Sequence, residues 1–460
     1  MRKIAIYGMV IAAVGFLLLS MPMSVLGWRN TGSYPVTLDN SNSDCKNPTM
    51  YNVDSSGGDI ELVAWQQWET DHWDIYFSFG ADTTWSPANP YRITNNGLWG
   101  NNNNDCTYPD ICGYDEYPGD ETCYTVYIAW QYEHPDYDNT WEIETCRIYI
   151  TEVDQNWPGT IQTVEYASIH QQQIPGQDPS VSEWDWFDSI YPALDCGDNV
   201  YLVWEDSREG SKEIYFDWSM QGLTWHDNDE LWSNSGHDSK DPCIAVDRYG
   251  EPEYDKVCAM WEDYEDYPFS QIWYRLHFNG PGNPADYGPF QVQNGGAGNN
   301  ELNPDIEDFN NDFLFVWDDD RNINEEIYYG ETRFGPPPPL NPAPLFWNTL
   351  RVTNNNGEDK HPAIDVCEND AGPGGSFNEI HICWDSSRSG TRDIYACRGV
   401  QNPGSTSDSL SCSGQGGSDD QVSFSNSVEN YPDISCHSNE GYCVWQRDQN
   451  PWEIRYTKDP

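Results

Sequence analysis

Basic residues are scarce in this chain. Against 76 aspartates and glutamates stand only 22 lysines and arginines, for a net charge of −54 over 460 residues. A field of that sign repels nucleic acid and anionic lipid, which excludes both as partners. Helical periodicity is missing after the first thirty residues: no later segment combines the length and the 3.6-residue repeat of a helix. No later apolar run is long enough to cross a membrane. The familiar catalytic signatures are absent too. There is no His-Glu-x-x-His pair, no Gly-x-Ser-x-Gly elbow, no phosphate-binding glycine loop, no Asn-x-Ser/Thr sequon and no Cys-x-x-Cys unit with zinc spacing.

What the chain does have is aromatics and cysteine. With 22 tryptophans and 29 tyrosines it is no disordered polyelectrolyte. The acid is spread along the whole length, which suits solubility in a saline exterior better than one cation site. Arg2 and Lys3 precede an apolar stretch from Ile4 to Leu19, and Val25-Leu26-Gly27 has cleavage-site spacing. These features predict a signal peptide over residues 1–27 and a secreted or cell-surface chain, with residues 28–460 as a single domain. The alternative, an uncleaved anchor, has an apolar run shorter than a spanning helix needs. A monomer with no membrane insertion after signal removal is expected.

Fourteen cysteines in an exported chain read as disulfides. Five pairs fall on the two arms of an expected hairpin: Cys112 with Cys123, Cys243 with Cys258, Cys367 with Cys383, Cys397 with Cys412, and Cys436 with Cys443. For the last, a four-residue turn from Ser438 to Gly441 would set the two cysteines directly opposite. Cys45, Cys106, Cys146 and Cys196 find no partner in this scheme.

A repeat organises the chain. Seven hydrophobic runs end in Trp65, Trp130, Trp204, Trp261, Trp317, Trp384 and Trp445, and each is followed by a short strand built around an isoleucine, as in Glu213-Ile214-Tyr215 and Asp393-Ile394-Tyr395. Before each run stands a segment that begins with Pro, such as Pro109-Asp110-Ile111 or Pro432-Asp433-Ile434. After several of them comes a fourth strand, such as Leu350-Arg351-Val352-Thr353. Four short strands per copy, repeated until neighbours bury one another, predict an all-β fold. The last copy stops at Tyr456-Thr457-Lys458 without its fourth strand, while Tyr34-Pro35-Val36-Thr37 stands alone near the start. The orphan would complete the unfinished unit and close a seven-bladed β-propeller of four-stranded antiparallel blades, which removes exposed strand edges. An open β-solenoid is the competing architecture, but its repeats are shorter and more regular. A tryptophan repeated in every blade is then expected to pack between blades, not to stack on a ligand.

Loops between the second and third strands would share a face around the channel. That face receives Asp206, Arg208, Asp263, Asp319, Arg321, Asp385 and Arg388, the candidate ligand-binding residues. An Asp two residues before an Arg in a tight turn also has a structural role, because the carboxylate can cap turn amides and pair with the guanidinium. Asp318, Asp320, Asn322 and Asn324 alternate oxygen donors of the kind calcium takes. They are the candidate metal ligands, although Ile323 stands where an EF-hand requires Gly. A channel ion held by Asp110, Asp305 and Asp433 is a further candidate. No cofactor other than calcium is suggested.

The stretch from Leu350 through Trp384-Asp385-Ser386-Ser387-Arg388-Ser389-Gly390 to Ile394-Tyr395, and Trp204 to Gly210 with Glu213-Ile214-Tyr215, resemble secreted propellers with bacterial neuraminidase-like (Asp-box) repeats, a sialidase-like superfamily. The Asp boxes, S-x-D-x-G-x-T-W, are degenerate. Ser78, Thr84 and Trp85 keep the spacing in blade one, but Gly80 and Asp82 exchange the expected residues; in blade three only Gly222, Thr224 and Trp225 match. The resemblance covers nearly the whole mature chain and implies the propeller fold. For sialidase activity it would imply six blades, an arginine cluster and a Tyr-Glu nucleophile pair, of which only Arg92-Ile93 keeps a trace. The expected function is therefore an exported non-catalytic binding module that contacts glycan or another surface protein. A sialidase-like or other glycoside hydrolase and a purely structural surface component are the alternatives.

Overall fold

In the computed structural model, every element among the described residues is a strand. These residues are 36–38, 43–53, 60–81, 84–85, 90–94, 104–115, 123–133, 140–151, 160–168, 187–220, 225, 229–233, 236–248, 255–265, 268–279, 285–292, 298–309, 312–333, 345–369, 377–401, 409–410, 412, 419–423, 425–437 and 440–458. The expected signal peptide lies outside them. No helix among the described residues is long and apolar enough to cross a membrane.

The strands form seven antiparallel sheets, one per predicted unit. Blade one comprises Cys45–Val53, Ile60–Trp68 and Trp73–Ala81, with an outer strand in two pieces, Thr84–Trp85 and Tyr91–Arg92. Blade two comprises Cys106–Asp115, Cys123–Glu133, Trp141–Thr151 and Thr160–Ser168. Blade three follows with Ser189–Cys196, Val200–Asp206, Glu213–Ser219 and Glu230–Leu231. Blade four runs through Ser239–Arg248, Asp255–Asp263, Gln271–Asn279 and Ala285–Gln291. Blade five uses Glu301–Phe309, Asp312–Asp319, Glu326–Arg333 and Leu345–Arg351. Blade six uses Asp359–Asn369, Phe377–Ser386 and Asp393–Gln401, with outer pieces Ser409–Leu410 and Asp420–Gln421. Blade seven has three strands from the C-terminal end, Glu429–His437, Glu440–Arg447 and Glu453–Lys458.

The fourth strand of blade seven is Val36–Thr37. Val36 pairs with Tyr456 and Thr37 with Arg455, so the orphan strand does close the ring. Each first strand packs against the first strand of the next blade, and the seventh returns to the first. These seven strands line a central channel of about 850 Å³.

The seven core tryptophans are at most 1% exposed. Each lies in a seam between neighbouring blades: Trp130 packs against Ile75 and Phe77 of blade one, Trp317 against Ile272 and Tyr274 of blade four, and Trp65 against Val444 and Ile454 of blade seven. An unsupported single blade could not bury them. The indoles of Trp65, Trp204 and Trp317 also stack over the tyrosine of their own third strand, Tyr76, Tyr215 and Tyr328, with ring centres 6.0–6.2 Å apart.

Two expectations are corrected. Proline does not open the first strand: each of these strands starts three residues earlier, and its register shifts at the proline, as between Thr107 and Asp110 or Asn430 and Asp433. A bulge tolerates proline because no ladder hydrogen bond is required there. The cysteine scheme also changes. Cys397 and Cys412 are joined, with Cα atoms 5.4 Å apart. The remaining pairs are out of register: Cys112 faces Tyr127, Cys243 faces Met260, Cys367 faces Glu379, Cys383 faces Ala363, and Cys436 faces Gly441. At the last site His437 pairs with Glu440, so the turn is two residues shorter than expected. Thiols instead meet across blade seams, Cys436 with Cys367 and Cys443 with Cys383.

Candidate functional site

The bulge in each first strand puts the residue before the proline into the left-handed backbone region. These residues are Asn47, Tyr108, Tyr191, Asp241, Asn303, His361 and Tyr431, one per blade, all with φ between 47° and 52°. Tyrosine avoids this region, which costs about 1 kcal/mol or more per residue and persists only where neighbours enforce it.

The enforcing group is the residue after the core tryptophan of the preceding blade. Gln66 accepts the Tyr108 N–H at 3.0 Å, Gln131 that of Tyr191 at 2.9 Å, and Glu205 that of Asp241 at 2.9 Å. Glu262 accepts the Asn303 N–H at 2.8 Å, and Gln446 closes the series on Asn47 at 3.0 Å. In blades five and six this position holds an aspartate, one methylene shorter, which serves its own blade. Asp318 accepts Asn303 Nδ2 at 2.9 Å, and Asp385 Oδ1 lies 2.5 Å from His361 Nδ1. Burial pushes the Glu262 carboxyl up to about 8, and the nearby Asp241 adds to the shift.

The seven side chains form a crown at the channel mouth. Its aromatic arc runs through Tyr431, Tyr108 and Tyr191. Tyr108 and Tyr191 meet edge to face at 4.5 Å, and Tyr431 lies 4.3 Å from the His361 ring. Tyr108 and Tyr431 are 37% and 44% exposed, so two rings are presented to solvent beside the polar Asn47, Asp241, Asn303 and His361. Several of the few cations border the crown: Lys212 pairs with Glu205 at 2.8 Å and lies over the Tyr191 ring, while Arg392 pairs with Asp385.

Below the crown, the aspartates considered for a channel ion are used as clamps between blades. Asp110 Oδ2 accepts Leu194 N–H at 2.7 Å, Asp305 Oδ2 accepts Ile364 N–H at 2.8 Å, and Asp433 Oδ2 accepts Met50 N–H at 2.6 Å. Asp195 and Asp365 do the same for Val246 and Cys436. Desolvation in the narrow channel outweighs these hydrogen bonds and pushes Asp110 up to about 6, Asp305 to about 7 and Asp433 to about 8.

The face residues chosen from the sequence are mostly committed to the turns. Asp206 is buried, accepts the Trp204 indole N–H at 3.2 Å and the Arg208 amide at 2.8 Å, and pairs with the Arg208 guanidinium, which lies 4.2 Å from the Tyr215 ring centre. Asp319 and Arg321 repeat this over Tyr328. Arg388 sits likewise over Tyr395 but reaches Ser386, Asp359 and Asp419. Asp263 caps Glu265 N–H and bonds Ser239. Of the seven, only Asp385 contacts the crown. The proposed calcium ligands diverge as well: Asp318 turns to Asn303, Asp320 to Asn300, Asn322 to Tyr328, and Asn324 to Glu326, Asn355 and Gly357. No shared centre gathers them, because this is the ordinary repeat turn, in which Ile323 (φ 90°) takes the place of Gly210 and Gly390.

The sequence reading missed the crown because its residues share a backbone position and not a residue type. The seven prolines were its signal.

No family model matches the chain, and no curated protein does. Among solved structures, the chain is similar to Trypanosoma rangeli sialidase in complex with the inhibitor DANA, with TM-score 0.45 and 10% identity, over 92% of this chain and 57% of that one. It also matches Penicillium chrysogenum α-L-arabinanase complexed with arabinobiose (TM-score 0.39, 11% identity, 76% of this chain and 92% of that one). A thermostable family-43 glycoside hydrolase matches with TM-score 0.33 and 12% identity, over 67% of this chain and 93% of that one. The chain spans little more than half the length of the sialidase structure.

Proposed function

We propose that this protein is an exported, non-catalytic binding module that holds a glycan at the channel mouth. One observation carries the reading: a single left-handed backbone position, repeated in all seven blades and held by the preceding blade in five of them, displays different side chains in different blades. Packing residues repeat, whereas here strain is kept where the chemistry varies. Tyr108, Tyr191 and Tyr431 offer flat apolar faces for the C–H side of a sugar ring. Asn47, Asn303, Asp241 and His361 offer amide, carboxylate and imidazole partners for its hydroxyls. The strongly negative chain favours neutral sugars over polyanionic ones.

The test is a glycan array probed with residues 28–460, with and without a calcium chelator, followed by the same array with Tyr108→Gly and Tyr431→Gly. Binding that disappears in both variants supports the crown, and loss with chelator adds a calcium contribution. Absence of any glycan binding overturns the reading and leaves a protein-contacting or structural surface component. Sugar release that stops on one carboxylate substitution would make the protein a glycoside hydrolase.

A further inference from the structure

We propose that Cys367, His381, Cys436 and Glu379 form a buried site for a thiophilic divalent metal, zinc before others, at the seam between blades six and seven. Cys367 lies on the first strand of blade six and faces Glu379 on the second strand. His381 follows two residues later, on the same side of the sheet as Glu379. Cys436 comes from the first strand of blade seven. One donor atom from each of Cys367, His381 and Cys436 lies within 4.8 Å of the other two, and all three residues are buried. Two thiolates on a tetrahedral zinc stand about 3.8 Å apart, given Zn–S bonds of about 2.3 Å. Closure onto a metal therefore takes small inward side-chain movements.

The imidazole distinguishes this site from a simple thiol pair. His381 is 0% exposed, its ring lies against the Cys367 thiol and the Glu379 carboxylate with Nε2 3.5 Å from Glu379 Oε2, and neither ring nitrogen has a partner at full hydrogen-bond geometry. A buried polar atom left without a hydrogen bond is costly, so its presence needs a reason. A Cys367–Cys436 disulfide would use both sulfurs and leave the imidazole as it is. A metal uses both sulfurs, one ring nitrogen and the Glu379 carboxylate as fourth ligand, a set that suits zinc. Among the described residues, no other seam thiols share such a cluster with a histidine. At Cys112 and Cys196 the third group is Asp195, whose Oδ2 already accepts Val246 N–H.

Charge is also accommodated. Two thiolates and one carboxylate on a divalent ion leave one negative charge, and Arg398, buried and paired with His381 across the sheet, supplies the compensating cation. Binding releases the two thiol protons to solvent.

The experiment measures metal in mature protein purified without chelator, then restores zinc or cobalt to chelator-treated protein kept reduced. We expect one zinc per chain, thiolate-to-cobalt charge-transfer absorption, and protection of Cys367 and Cys436 from alkylation until the metal is removed. Cys436→Ser and His381→Gln should weaken zinc binding on the order of 100-fold, while Cys383→Ser leaves it unchanged. Zinc retained in Cys436→Ser overturns the proposal. So does peptide mapping of untreated wild-type protein that finds no zinc and a Cys367–Cys436 disulfide, a result that does not depend on any variant folding.

Discussion

The turns after the core tryptophans and the crown around the channel mouth are both repeated around the ring, yet they hold different kinds of residue. In the turns the chemistry is copied with the backbone: Asp206 with Arg208 and Asp319 with Arg321 make the same amide cap, the same ion pair and the same cation–π contact. In the crown the backbone is copied and the chemistry is not: a φ near 50° carries Asn, Tyr, Tyr, Asp, Asn, His and Tyr in succession. Repetition of a side chain marks a structural duty. Repetition of a strained conformation beneath varied side chains marks a place where the ring can be specialised.

The comparison can be broken most severely by opening the ring. Removing residues 28–40 deletes the strand that pairs with Arg455 and Tyr456 and leaves an unpaired edge. Calorimetry should show a large fall in Tm, and light scattering should show oligomers; an unchanged monomer would contradict closure by this strand. Next in size is Trp204→Ala, which empties a fully buried seam position and should cost about 3–5 kcal/mol in denaturant unfolding. Arg208→Ala strands the buried Asp206 carboxylate, so about 3 kcal/mol of stability should be lost while glycan binding by the folded fraction is retained. Loss of binding with intact stability would move the turns into the site.

Acidity probes the channel below the crown. Asp433, Asp305 and Asp110 have folded-state values raised to about 8, 7 and 6, so between pH 4 and 8 the native state holds protons that the unfolded chain releases. Their contribution to stability is full below about pH 4 and is lost as pH rises through these values. Tm should therefore be higher at pH 5 than at pH 8.5, and Asp433→Asn should flatten the difference. The smallest expected effect is the most discriminating. Tyr431→Gly should raise stability by up to about 1 kcal/mol through relief of left-handed strain, and abolish binding. Ile323→Gly, in a turn, should raise stability similarly and leave binding alone.

The fold was legible because its signals are local. A tryptophan at the end of an apolar run, an isoleucine strand after it and an unmatched strand at each end of the chain are enough to count blades and to close the ring. The turn chemistry was half legible: Asp206 and Arg208 are two residues apart and could be read as a clamp, but nothing local showed that Arg208 lies over Tyr215. Cys397 and Cys412 do pair, but the other cysteine pairs were misread because hairpin register depends on turn length. Pairing of His437 with Glu440 moves Cys436 off Cys443 and frees it to meet Cys367, 69 residues back in the chain and one blade away.

By itself, then, the sequence determined the all-β architecture, the number of blades and the residues that bury the seams, because a strand's period and its apolar face are written along the chain. Only the tertiary structure decided what meets at the axis and across the seams. There residues about sixty positions apart share one ring, the side chain after the tryptophan reaches a neighbouring blade in five of the seven blades to hold a strained amide, and channel aspartates serve as clamps. Those contacts depend on how the blades are packed around the axis, and no spacing within a single blade encodes them.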